Sequence, residues 1–186
     1  MKTVKGYETL KANTLAKTRW AKFHDDDVVL PDGDVGKYTW VETTRAGVIV
    51  IPRAPDGRVM LISIARYPAR KVMWEFPRGG ILARESPDYA ARRELKEETG
   101  LFVDTRYMKN IGHLYPDSAF LSTRHTVFVA QMPLAWGGRP LVSLAAGEGI
   151  LRYGWVFPGA VKKLVKDGVD GTALAALTLL RFHLGK

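Results

Sequence analysis

Between Ser86 and Gly100 the sequence marks both ends of one helix. Pro87 fits the first helical position, where its missing N–H would find no intrahelical partner anyway. Ser86 before it is a natural N-cap, Asp88 suits the positive N-terminal end, and Gly100 stands where a left-handed C-terminal cap belongs. The pattern predicts a helix over Pro87–Thr99. Its last two turns nevertheless carry Glu94, Glu97 and Glu98, where the helix dipole disfavours acids. Glu94 and Glu98 are also a like-charge i,i+4 pair, relieved in part by Arg92, Arg93 and Lys96, with Arg93 spaced to pair with Glu97. A glycine-rich turn, Arg78-Gly79-Gly80, precedes the helix and lets backbone carbonyls come close. Three carboxylates on one helical face can serve a hard divalent cation, and magnesium commonly joins substrate phosphates to one or two such groups. A solvated mixed-charge face is the plain alternative. The chemistry on offer is metal-assisted attack on a phosphate ester.

The rest of the chain reads as strands around this helix. Residues 1–45 are β-rich: Leu15–His24 alternates imperfectly, Pro31-Asp32-Gly33-Asp34 supplies turn chemistry, and Lys37–Thr44 carries Tyr38, Trp40 and Val41. Ala46–Pro52 is a continuous apolar run of the kind buried on both faces. After the turn at Ala54-Pro55-Asp56-Gly57, further strands are expected over Arg58–Arg66, Val72–Phe76, Arg106–Tyr115, Arg124–Gln131 and Leu151–Phe157. Two helices close the chain, Pro158–Asp167 and Asp170–Leu184, the second with Leu174, Leu177, Leu180 and Leu184 as an apolar stripe. Many strands with three separated helices indicate an α+β domain or an α/β/α sandwich.

Composition narrows the function classes. The chain of 186 residues has no cysteine, which removes disulfides, thiolate metal sites and a cysteine nucleophile. No apolar run approaches a membrane span, and the first residues lack the apolar core of a secretory signal, so a cytoplasmic protein is expected. Lys and Arg number 28 against 19 Asp and Glu, a net charge of +9. That field favours anionic ligands, but the basic residues are scattered rather than run together, which argues against a nucleic-acid tail. Dinucleotide fingerprints and the Walker phosphate loop are absent.

Residues 79–101 read Gly79-x5-Glu85-x7-Arg93-Glu94-Leu95-x-Glu97-Glu98-x-Gly100-Leu101. This string resembles the Nudix box at every fixed position. The resemblance implies a mixed β-sheet flanked by helices, and hydrolysis of a nucleoside diphosphate linked to another moiety with Mg2+ or Mn2+. It implies metal ligation by Glu94, Glu97, Glu98 and the Arg78 carbonyl, orientation of the glutamates by Arg93, and a supporting part for Glu85. LPDGDVGKYTWVE, IARYPARKVMWEFPRGG and YPDSAFLSTRHTVFVA are similar to the ADP-ribose pyrophosphatase branch, which places a proline about sixteen residues past the box; Pro116 stands sixteen after Gly100. That branch implies a nucleoside diphosphate sugar substrate, ADP-ribose first, cleaved to AMP and ribose 5-phosphate. GDP-mannose and other nucleotide-sugar hydrolases share much of the pattern. The resemblance also implies division into a β-rich dimerisation segment, residues 1–45, and a Nudix domain, residues 46–186, in a homodimer.

There are departures from the branch. It usually reads Leu-Pro-Ala-Gly where this chain has Phe76-Pro77-Arg78-Gly79, so Arg78 either adds positive charge near the phosphates or faces solvent. The branch places an acidic cluster before its last strand; here Glu148, between glycines, is the single carboxylate and the candidate proton acceptor. Arg66 aligns with an arginine used near substrate phosphates, with a strand-end salt bridge as the alternative. Trp20, Tyr38 and Trp40 offer either a stacking face or core and interface packing. His24, His113, His125 and His183 have no ligand spacing. Two rivals remain, an RNA 5′-end pyrophosphohydrolase and a catalytically silent nucleotide-binding module; the second predicts eroded box glutamates, and none is eroded.

Overall fold

The computed structural model describes residues 5–133 and 149–185. Among the described residues the contacts divide into two compact units, residues 5–46 with 115–124, and residues 47–114 with 125–133 and 149–185. In the first unit, β1 (Glu8–Lys11) and β2 (Thr14–Lys17) share one edge of β3 (Ala21–Val29), and β4 (Val35–Thr43) takes the other, all antiparallel. The β3–β4 hairpin turns at Pro31–Asp34, where Gly33 adopts φ 92° and the Leu30 N–H donates to the Asp34 carbonyl. The imperfect alternation of Leu15–His24 has a cause: Thr18 Oγ1 accepts from the N–H groups of Trp20 and Ala21, closing a tight turn between β2 and β3.

The second unit holds a seven-stranded mixed sheet in the order β11-β6-β5-β10-β9. Its strands are β5 (Gly47–Arg53), β6 (Val59–Arg66), β7 (Lys71–Glu75), β8 (Arg78–Gly80), β9 (Met108–Leu114), β10 (His125–Gln131) and β11 (Ile150–Val156). β5 and β10 run parallel and the other pairs antiparallel. β5 and β6 pair only at Arg53–Val59; farther along, the free edge of β5 pairs β8 and that of β6 pairs β7. The sheet therefore splits, and the Phe76-Pro77 link between β7 and β8 sits in the split, where the Val50 N–H donates to the Pro77 carbonyl at 2.8 Å.

Helix α1 (Pro87–Thr99) covers one face of this sheet and α2 (Gly171–His183) the other. Val48 and Val50 pack with Ala90, Ala91 and Leu95 of α1, while Ile49 and Ile51 pack with Ala173, Ala176, Leu177 and Leu180 of α2. Alternate residues of β5 thus serve opposite helices, which is why its sequence is apolar without a break. This is the expected α/β/α sandwich with a β-rich segment before it.

Three local expectations differ. Ser86 is extended at the N-cap of α1, but its hydroxyl donates to Asp88 Oδ1 instead of accepting a backbone N–H. Pro158–Asp167 is two short 3-10 turns, Pro158–Lys163 and Val165–Asp167, rather than an α-helix. The buried stripe of α2 runs through Ala173, Ala176, Leu177 and Leu180, leaving Leu174 and Leu184 exposed, because the small alanines let the helix lie close to the sheet. Among the described residues no helix is long and apolar enough to cross a membrane.

Candidate active site

The acidic end of α1 turns inward. Glu94 and Glu98 flank Leu95 on the packed side of the helix and are only 7% and 3% exposed, so the solvated-face alternative fails for both. Gly100 ends the helix in the left-handed region at φ 69°, its N–H donating to the Lys96 carbonyl, and so fixes where the last turn stops. Glu97 lies farther round, its side chain 49% exposed.

The segment facing these acids is matched to them; Arg78-Gly79-Gly80 is not the expected turn but strand β8, held by its pairing with β5. A Cβ on Gly79 would overlap the Glu94 carboxylate, so only glycine leaves that carboxylate its place. One residue earlier, the Arg78 N–H donates to Glu98 Oε2 at 2.9 Å. Arg93 joins the remaining parts with one planar fork. Its Nε and Nη2 donate to the two oxygens of Glu85 at 2.8 and 3.0 Å, and Nη2 also donates to the Gly80 carbonyl at 2.9 Å. Nη1 donates to Glu94 at 2.7 Å and to Glu97 at 2.9 Å. These bonds, that to Glu85 foremost, hold the guanidinium charged more firmly than in water. Glu85 in turn accepts the Leu82 N–H at 2.7 Å and pins the loop before the helix.

A second charged network lies beside the first. Glu75 ends β7 and is 1% exposed, between the buried Trp74 and Phe76. Arg66 Nε and Nη2 donate to its two oxygens at 2.8 and 2.6 Å, and Arg78 Nε lies 2.8 Å from Oε2. Glu75 raises the affinity of Arg66 for its proton, and Glu98 and Asp170 add smaller attractions. Arg78 Nη1 continues to Thr172 Oγ1 at 2.9 Å and to Asp170 Oδ1 at 3.3 Å, while Asp170 caps α2 by accepting the Thr172 N–H. The Arg78 guanidinium therefore joins Glu75 to the cap of α2 rather than facing solvent. Arg66 makes the strand-end ion pair and keeps its charge within electrostatic reach of Glu98.

His125 closes the floor. It stands opposite Gly47 in the β5–β10 register, its ring filling the space a Cβ on Gly47 would need. Its Nδ1 is buried with no hydrogen-bond partner among the described residues, and burial, with Arg78 nearby, pushes its pKa down. Glu148 lies outside the described residues.

Sequence reasoning passed over Glu75, Asp170 and the placement of His125. The available signal was an acid between two large apolar residues on a short strand, since such an acid is either exposed or paired inside.

A hard divalent cation needs several oxygen ligands. Among the described residues no three His, Asp or Glu side chains are gathered closely enough to hold one. The donor chemistry does fit: two buried carboxylates one turn apart, held against strand β8, in which a Cβ on Gly79 would fill the space of one of them. Magnesium asks for one or two carboxylates and completes its shell with water and phosphate oxygens.

A NUDIX domain model matches residues 43–175. An ADP-ribose pyrophosphatase of Bacillus subtilis is 29% identical over 129 residues, 67% of this chain and 68% of that protein. An RNA pyrophosphohydrolase of Caulobacter vibrioides is 47% identical over 57 residues, 31% of this chain and 33% of its own length. The solved structure of an ADP compounds hydrolase superposes with a TM-score of 0.76 at 24% identity, covering 100% of this chain and 97% of that one, a likeness of fold.

Proposed function

The chain belongs to the Nudix family and is a Nudix pyrophosphohydrolase, and from that premise we propose that it cleaves the pyrophosphate of a nucleoside diphosphate sugar, ADP-ribose first, to AMP and ribose 5-phosphate. The observation that supports this reading is the buried pair Glu94 and Glu98 at the end of α1, set against strand β8, where a Cβ at position 79 would displace the Glu94 carboxylate. The broad similarity to an ADP-ribose pyrophosphatase and the spacing of Pro116 support the substrate class.

In this proposal Glu94, Glu97, Glu98 and the Arg78 carbonyl hold Mg2+ or Mn2+, which when bound neutralises phosphate charge and acidifies water. Arg93 orients Glu94, Glu97 and Glu85 through its fork. Arg66, pre-set by Glu75, offers positive charge to the phosphates, and Arg78 adds a second charge from its place between Glu75 and Asp170. Glu148 is the proposed proton acceptor for the attacking water. A second reading, hydrolysis at RNA 5′ ends, draws on the Caulobacter likeness, but that likeness spans only 57 residues. We also propose a homodimer formed through residues 1–45, whose small sheet leaves Leu10, Leu15, Trp20 and Phe23 exposed; sedimentation should find a dimer, and a fully active monomer would reject it.

The test of substrate class is a panel of ADP-ribose, other nucleoside diphosphate sugars and triphosphorylated RNA, with products identified by mass. ADP-ribose should yield AMP and ribose 5-phosphate. RNA as the best substrate would overturn the reading.

A further inference from the structure

We propose that the outer side of α1 carries a second ligand site, a cleft that binds a nucleoside monophosphate through its ring and its phosphate together. The cavity has a volume of about 470 Å3 and is lined by Tyr89, Arg92, Arg93, Lys96, Glu97 and Phe102. That volume lies within the range of small-ligand pockets, roughly 300–1,000 Å3.

Its chemistry follows from the helix that builds it. Ala90, Ala91 and Leu95 face the sheet, so Tyr89, Arg92 and Lys96 form a stripe turned away from the core. Past the left-handed turn at Gly100, Leu101 enters the core and Phe102 points outward. Tyr89 and Phe102 are 56% and 67% exposed, two large aromatic side chains spread over one cleft with most of their surface in water. Aromatic faces of this kind stack any nucleobase.

The cations beside them are under-used. Arg92 sits 5.6 Å above the Tyr89 ring; its ion-pair partner Asp88 is 3.7 Å away, beyond hydrogen-bond reach, and Asp104 acts on it only through longer-range attraction. The Arg92 Nε is buried with no hydrogen-bond partner among the described residues. Lys96 makes no ion pair among the described residues. The acid on the rim, Glu97, is already matched by Arg93 at 2.9 Å. The cleft therefore presents two cations toward an anion and two aromatic rings toward a planar group. A single nucleotide carries both, whereas inorganic phosphate or a sugar phosphate satisfies only the cations and a nucleoside only the rings.

The cleft borders the proposed metal site through Arg93 and Glu97, but the inference requires neither turnover nor a divalent cation. It is tested by calorimetry on the full chain in chelator, with AMP, adenosine and ribose 5-phosphate as probes, and by magnetisation transfer from aromatic protons to the AMP base. AMP should bind more tightly than either fragment and receive transfer from tyrosine and phenylalanine rings. Tyr89→Ala and Lys96→Glu should each weaken AMP by about tenfold, with melting temperatures confirming that both variants fold. Phe102→Ala should remove its share of the transfer, and Glu98→Gln should leave AMP binding unchanged. Equal affinity for ribose 5-phosphate and AMP would overturn the proposal. So would AMP affinity that survives both cleft variants, or that is lost only in Glu98→Gln.

Discussion

The Glu94 carboxylate occupies the space that a Cβ at position 79 would need. This contact is the far end of a flexible side chain, so an alanine at 79 moves the carboxylate rather than the backbone. Gly79→Ala should therefore leave the melting temperature nearly unchanged while pulling Glu94 away from Arg93 and strand β8. Activity should fall by about 10–100-fold, the scale of losses when a ligand's support is disturbed, and half-saturation with magnesium should shift to higher concentration. Initial rates across a magnesium series check both. A large loss of stability with unchanged magnesium dependence would contradict this.

Glu75→Gln tests the second network differently. Glu75 is buried to 1% exposure and faces two guanidiniums, Arg66 and Arg78. Removing its charge leaves two cations facing a neutral amide. Breaking one partner of a buried pair costs about 3–5 kcal/mol, and the partial exposure of both arginines places the expected loss near the lower end. Denaturant unfolding should show a lower midpoint with an unchanged slope. Activity should fall as well, through a higher KM, because Arg66 loses the carboxylate that aims it.

His125 should give stability its pH dependence in mildly acid solution. Burial, then Arg78, depresses its folded pKa below the unfolded value near 6.5. The unfolded chain then binds the proton first as pH falls. The stabilisation is fully present above pH about 6.5 and is lost as pH drops toward and through the folded value. Asp27, Glu42, Asp56 and Asp104, all depressed by hydrogen bonds and nearby cations, lose their contributions only in more acid solution. Melting temperature measured from pH 7.5 to 5 should fall for the native chain and be flatter for His125→Gln. Parallel curves would contradict the assignment.

What the sequence made legible was local. Pro87 and Gly100 act on their own neighbours, and α1 begins and ends where they predict. The apolar run of β5 reflects two helices covering one strand, a pattern that residue type alone reports. What stayed hidden depends on partners distant in sequence. Glu75 reads as an ordinary strand acid until folding brings Arg66, nine residues away, against it. Arg78 gains its place only when α2 delivers Asp170 and Thr172. The leucine stripe of α2 held for Leu177 and Leu180 and failed for Leu174 and Leu184, because the sheet selects small residues for close approach and burying Ala173 and Ala176 turns Leu174 outward. The paired glutamates at the end of α1 were the exception. Acids where the dipole opposes them already marked a place with a use for their charge.

The most direct test is the magnesium-dependent hydrolysis of ADP-ribose by the native chain and by Glu98→Gln, with products identified by mass. Glutamine keeps the shape of residue 98 and an oxygen to accept the Arg78 N–H, so it removes little except charge. The native chain should release AMP and ribose 5-phosphate. The variant should lose more than about 100-fold in rate, beyond what a merely supporting residue yields. Without metal its melting temperature should stay level or rise, since an acid opposing the helix dipole has gone. Near-normal turnover by Glu98→Gln at moderate magnesium would contradict the account.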